Sequence, residues 1–171
     1  WPSVPIDDLL HERWSKMVNN TMLNPISAIG GMKSAALLAN GDARRIGISL
    51  ASEVLQVAEA EGHPLGVIMG EYAAADVYAG AEGRSDVVEQ GLAERAGRVS
   101  PEAMTSMYQD VQRKRLTEID YFSGLVSKKG QDAGIPAPFC DAVTDLVHQV
   151  EAGQLMPSPE ALREVFRSVE N

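Results

Sequence analysis

Lys16, Asn20 and Asn24 recur at intervals of four residues. On a helix of ~3.6 residues per turn each step drifts only ~40°, so an ammonium and two amides share one side and can offer a cation and several hydrogen-bond donors to a polar ligand. Met17, Val18, Met22 and Leu23 lie between them, which places the polar stripe beside side chains that should be buried. By spacing alone the default is a solvated amphipathic face, because lysine and asparagine are mostly exposed. Pro25 follows Asn24 directly. It cannot donate to the carbonyl of Thr21 and it disfavours helical geometry at Asn24, so a kink and a free carbonyl are expected there.

Ser106 and Glu118 are the next candidates. Ser106-Met107-Tyr108-Gln109 has the S-x-x-Q form of a capping box, which gives the serine a structural role at a helix start. Glu118 lies ~120° around a straight helix from Ser106, so the two share a site only if the helix bends or a ligand crosses its edge. Alone, Glu118 defaults to a solvated charge. His11, His63 and His148 are scattered, with no H-x-x-x-H partner and no carboxylate pair at ligand spacing, so no metal site is expected.

The elements that would position these residues read as helices from end to end, with alternating β-branched stretches nearly absent. An all-α helical bundle is expected. Asp7 or Asp8 can cap a first helix bearing Leu10, Trp14, Met17, Val18 and Thr21, which Pro25 interrupts. Asp42 can cap a long helix with Ile46, Leu50, Val54, Val57 and Ala58 on one stripe, ending at Gly62. Residues 64–99 are Gly- and Ala-rich and suggest two helices divided near Gly80-Ala81-Glu82-Gly83, with Ser85 as a cap. Ser100-Pro101-Glu102 opens a helix through Met107 and Val111 toward Ile119, Phe122 and Val126, stopped by Gly130 and Gly134-Ile135-Pro136-Ala137-Pro138. A helix with Phe139, Val143, Leu146, Val147 and Val150 follows, and Ser158-Pro159-Glu160 starts the last one. No linker divides the chain, so residues 1–171 form a single domain.

Composition narrows the function classes. Lys plus Arg number 15 against 24 Asp plus Glu, a formal charge of -9, which disfavours nucleic acid and anionic membrane surfaces as partners. The one basic cluster, Arg113-Lys114-Arg115, is flanked by Asp110 and Glu118. No apolar run approaches the ~20 residues of a membrane span, and the single cysteine, Cys140, fits a reducing compartment. A cytoplasmic protein is expected. The sequence opens Trp1-Pro2-Ser3 without an initiator methionine or a signal-peptide pattern, and it is expected to be a fragment. Neither G-x-G-x-x-G nor G-x-x-x-x-G-K-[ST] occurs, so no nucleotide-binding motif is present.

Trp14-Ser15-Lys16-Met17-Val18-Asn19-Asn20-Thr21-Met22-Leu23-Asn24-Pro25-Ile26-Ser27-Ala28-Ile29 resembles the W-x-K-L-x-x-N-x-x-x-N-P-[LI]-[TS]-A-[LI] signature of ketopantoate reductases. Ser106-Met107-Tyr108-Gln109-Asp110-Val111, with Arg115-Leu116-Thr117-Glu118-Ile119-Asp120-Tyr121 after it, resembles that family's S-M-L-Q-D-[IV]…R-x-T-E-I-D block. Two ordered blocks at matching spacing are far more specific than either alone. The resemblance implies a helical bundle like the 6-phosphogluconate dehydrogenase C-terminal domain. It also implies a parent in which an N-terminal Rossmann domain, absent from this chain, binds NADPH, and in which 2-dehydropantoate is reduced to pantoate for pantothenate biosynthesis. Lys16 would then be the general acid, Glu118 would orient substrate and lysine, and Asn20, Asn24, Asn40 and Ser106 would contact substrate.

Two departures from the pattern bear on the substrate. Ala103 stands where the family often has an asparagine, and the segment between Gly62 and Ser100 is longer than in compact members. The substrate is therefore expected to be 2-dehydropantoate or another 2-keto acid, and the alternative to a reductase, which Ala103 also motivates, is a non-catalytic helical interaction or dimerisation module. The apolar last helix offers a contact for a homodimer. Without the Rossmann half the chain itself is expected to be inactive.

Overall fold

The computed structural model describes residues 9–68 and 70–170; the caps expected at Asp7 or Asp8 lie outside them. In chain order the helices are α1 (Leu9–Gly30), α2 (Ser34–Ala39), α3 (Gly41–Ala60), α4 (Ala74–Ala81), α5 (Val87–Ala96), α6 (Ser106–Gln112), α7 (Ser123–Ala133), α8 (Pro138–Glu151) and α9 (Leu162–Glu170). Two 3₁₀ turns, Ile119–Tyr121 and Pro159–Ala161, precede α7 and α9. Strands β1 (Val67–Ile68) and β2 (Tyr72–Ala73) form a single antiparallel hairpin. The chain is thus an all-α domain, and the hairpin is too short to show as alternation in sequence. Among the described residues no helix is long and apolar enough to cross a membrane.

α1 and α3 form the centre. α1 packs on α3, α6 and α8, and α3 also packs on α4, α5, α7 and α8. Val18, Ile26 and Ile29 of α1 and Ile46, Leu50, Val54 and Val57 of α3 are completely buried between these layers. The two helices approach so closely that a Cβ on Gly47 would lie 3.0 Å from the carbonyl oxygen of Met22. A side chain there would press that backbone aside by a few tenths of an ångström, so the close crossing favours glycine.

The interruption expected at Pro25 does not occur, since α1 runs through it to Gly30. A proline inside a helix costs about 3 kcal/mol, but every residue from Asn24 to Gly30 is buried, and packing on that scale outweighs one lost hydrogen bond. Asp42 is not the cap of α3. Asn40 is, its Oδ1 accepting from the Ala43 amide at 2.9 Å, while Asp42 pairs with Arg45. The two helices expected within 64–99 are α4 and α5, and Ser85 Oγ accepts from the Val87 amide.

The long helix expected from Ser100 is instead three pieces. Thr105, not Ser106, caps α6 by accepting from the Tyr108 amide at 3.3 Å; Gln109 Nε2 donates to the Met104 carbonyl and does not accept from the cap's own amide, so the capping box expected at Ser106 does not form. After Gln112 the chain turns through Lys114, whose φ of 54° is left-handed. The phase relation between Ser106 and Glu118 on one helix therefore does not apply. α7 ends at Gly134, with φ 72°, as the Gly134–Pro138 run implied. Ser158 Oγ accepts from Ala161 to start the turn into α9. The apolar face of α9 is used within the domain: Leu162 and Val165 are completely buried, and Phe166 meets Phe139 edge-on at 6.5 Å.

α8 begins without a side-chain cap of its own, since Ala137 has no side-chain oxygen to offer. Glu53, buried on α3, accepts from the Phe139 and Cys140 amides at 2.8 Å each. One carboxylate thus satisfies two of the four N–H groups a helix start leaves unpaired, and places negative charge where the helix dipole favours it. Burial is the larger effect on its titration and pushes its pKa to about 7 against the lowering influence of the two amides.

Two expectations follow. Glu53→Ala should destabilise the domain by roughly 2 kcal/mol or more by leaving two amides unpaired, that of Cys140 buried and that of Phe139 partly so, as measured by urea unfolding. The folded state holds the Glu53 proton more tightly than an unfolded chain titrating near 4.5, so this group's contribution is full below that value and lost as pH rises through about 7. The wild-type advantage should therefore narrow from pH ~5 to pH ~8; a gap that widens would contradict the assignment. Lys114→Gly should raise stability by about 0.5–1 kcal/mol by relieving the left-handed backbone, and a loss on thermal unfolding would show that Lys114 is not strained.

Candidate functional site

α1 carries Lys16, Asn20 and Asn24 as the spacing required, and its packing grades their exposure. Lys16 is exposed, Asn20 half-buried and Asn24 buried at 7%. The gradient arises because the C-terminal half of α1 is the half enclosed by the core. At about 1.5 Å per residue, Lys16 and Asn24 are separated by roughly 12 Å, so they engage different parts of any one ligand. Thr21, beside Asn20, is fully buried, and its hydroxyl has no hydrogen-bond partner.

Ser106 is exposed at the first residue of α6, with its backbone held by the neighbouring Thr105 cap. Because α6 packs on α1, the fold brings the element bearing Ser106 to the one bearing Lys16, Asn20 and Asn24. The loop before α6 is tied at Ala103, whose carbonyl accepts from the Ser34 amide at 2.8 Å, and at Glu102, which pairs with Lys33. Asn40 stands apart in role: half-buried at the α2–α3 junction, it spends its side-chain oxygen on capping α3. Arg44 donates to the Leu38 and Ala39 carbonyls and pairs with Glu89, which fastens that junction to α5.

Glu118 is exposed and immediately precedes the turn Ile119–Tyr121. Among the described residues neither Lys16 nor Glu118 makes a side-chain hydrogen bond or an ion pair within 4.0 Å, so their charged ends are available to a ligand. None of the four principal surface cavities is lined by any of the six candidates. One cavity of 480 Å³, lined by Lys114, Arg115, Leu116 and Glu151 among others, lies beside the Glu118 segment.

Sequence reasoning missed a network next to Glu118. Glu151 accepts from the Thr117 amide at 2.7 Å, and His148 bridges Glu151 at 3.1 Å and Asp120 at 3.0 Å. Desolvation draws the imidazole's pKa down, but its hydrogen bonds and charge interactions with Asp120 and Glu151 outweigh that and raise it. Burial pushes Glu151 up, and the Thr117 amide and His148 together bring it below its ordinary value. The only sequence signal was His148 and Glu151 three residues apart on one helix; that they reach the turn after Thr117 depends on tertiary packing. Among the described residues no group of three or more side chains is placed to hold a metal ion.

The family model described as "Ketopantoate reductase PanE/ApbA C terminal" matches residues 8–151. A 2-dehydropantoate 2-reductase of Archaeoglobus fulgidus is 28% identical over 148 residues, covering 86% of this chain and 43% of its own. One of Mesorhizobium japonicum is 33% identical over 144 residues, covering 84% and 38% respectively. Among solved structures, D-mandelate dehydrogenase with NADH and anilino(oxo)acetate superposes with a TM-score of 0.69 at 27% identity, over 87% of this chain and 43% of that one. The chain spans less than half the length of these relatives. It belongs to the ketopantoate reductase family and corresponds to that family's helical C-terminal domain.

Proposed function

We propose that this chain is the substrate-facing domain of an NADPH-dependent reductase of 2-oxo acids, with 2-dehydropantoate as substrate and Lys16 as general acid. The observation that carries this reading is the placement of the two sequence blocks on elements in contact. Lys16, Asn20 and Asn24 lie on α1, Ser106 lies on α6, and α6 packs on α1. The same stripe that could have been a merely solvated face sinks from an exposed ammonium to a buried amide, which suits a pocket wall.

Reduction of a ketone needs a hydride, which reduced nicotinamide supplies when bound. Among the described residues there is no strand longer than two residues, and the sequence has no glycine-rich dinucleotide turn. The cofactor's pyrophosphate therefore belongs on another domain, the N-terminal Rossmann unit of a two-domain protein. This chain's part is the proton and the substrate's grip. Negative charge grows on the ketone oxygen as its carbon is reduced, and an ammonium within hydrogen-bond reach neutralises and then protonates it. The Ser106 hydroxyl and the Asn20 and Asn24 amides supply donors for the carboxylate and the rest of the substrate. Glu118 accepts from the substrate and orients the lysine. Leu116 and Tyr121, on either side of Glu118, are 81% and 74% exposed, which favours a face that a second domain covers.

A second reading, an NADH-dependent reductase of an aryl 2-oxo acid, is favoured by the likeness to D-mandelate dehydrogenase and by Ala103. A methyl group there offers no hydrogen bond to a polar substrate. Comparing kcat/KM for 2-dehydropantoate with NADPH against an aryl 2-oxo acid with NADH separates the two.

In the two-domain protein, Lys16→Ala should keep NADPH binding while kcat falls by at least ~10²-fold. Near-normal turnover of that variant on the best substrate would reject Lys16 as the acid.

A further inference from the structure

We propose that Glu151 and His148 are positioning residues for Glu118, holding the chain on both sides of it, at the Thr117 amide and the Asp120 carboxylate, from a single helix. This inference rests on the role proposed for Glu118 above. The geometry is specific. Upstream, the Thr117 amide donates to Glu151 Oε1 at 2.7 Å; downstream, Asp120 Oδ1 meets His148 Nε2 at 3.0 Å. His148 Nδ1 meets Glu151 Oε2 at 3.1 Å, which joins the two anchors into one unit on α8.

Glu118 lies between these anchors. Ile119, directly after it, is completely buried, its amide donates to Thr117 Oγ1 at 3.3 Å, and the Tyr121 amide donates to the Glu118 carbonyl at 2.9 Å. The backbone of Glu118 is thus fixed on each side while its carboxylate stays exposed. Such an arrangement lowers the entropy that ligand binding would otherwise have to remove from a surface turn. Glu151 suits the inner position because its side chain is only 9% exposed, whereas His148, at 44%, spans the outer edge.

A residue acting through Glu118 differs from one that merely stabilises the fold in a double-mutant cycle. In the two-domain protein with NADPH and 2-dehydropantoate, Glu151→Ala should lower kcat/KM by about tenfold or more, the cost of a modest misplacement of a contacting group. Glu151→Gln, which keeps an acceptor for Thr117, should recover most of that loss. In a Glu118→Gln background, Glu151→Ala should cost almost nothing further. Should Glu151→Ala fail to fold, His148→Ala takes its place in the same cycle, since its side chain is largely at the surface.

Losses that multiply in the double variant, or an Ala variant with wild-type kcat/KM, would overturn the positioning role while leaving Glu118 in place. A Glu118→Gln protein with undiminished kcat/KM would instead remove the role proposed for Glu118, and this inference with it.

Discussion

The close crossing of α1 and α3 at Gly47 is the constraint on which the rest of the structure depends. A side chain there would press on the Met22 carbonyl, so glycine sets the distance between the two central helices. That proximity buries the second half of α1 from Asn24 onward and stabilises a helix that proline alone would break. The first half, outside the crossing, keeps Lys16 exposed. One packing contact therefore gives a single helix a buried end and an exposed end, joined by a stripe of polar side chains.

The second consequence is electrostatic. α3, held in the core, presents Glu53 to the uncapped start of α8, and the other end of α8 presents His148 and Glu151 to the turn beside Glu118. α8 is thus fastened at its first turn by a buried acid and in turn fastens an exposed one. Arg44 at the end of α2 and Glu53 at the start of α8 meet backbone groups that helix ends leave unpaired.

Much of this was legible in the residues. Helical periodicity gave the long α3 and the amphipathic α8 because both bury a continuous apolar stripe, and the four-residue spacing of Lys16, Asn20 and Asn24 survived intact. Pro25 was misread because its penalty is local, whereas the burial that offsets it comes from residues distant in sequence. The break between α6 and the Glu118 turn was missed because Lys114 carries no sequence signal for a left-handed backbone; a glycine there would have announced it. Asn40 and Thr105 show that capping chemistry was read correctly in type and misplaced by one or two residues. Glu53 and the His148 network were invisible because they join groups far apart in the chain.

The central claim is that the stripe on α1 meets the substrate at its exposed end, with Lys16 at the reacting oxygen. It is tested most directly by a crystal structure of the two-domain protein holding oxidised cofactor and an unreactive analogue of a 2-oxo acid. The account predicts the analogue's carbonyl oxygen within about 3 Å of Lys16 Nζ, with its carboxylate at Ser106. An analogue bound with that oxygen on other residues, and Lys16 left in solvent, would contradict it.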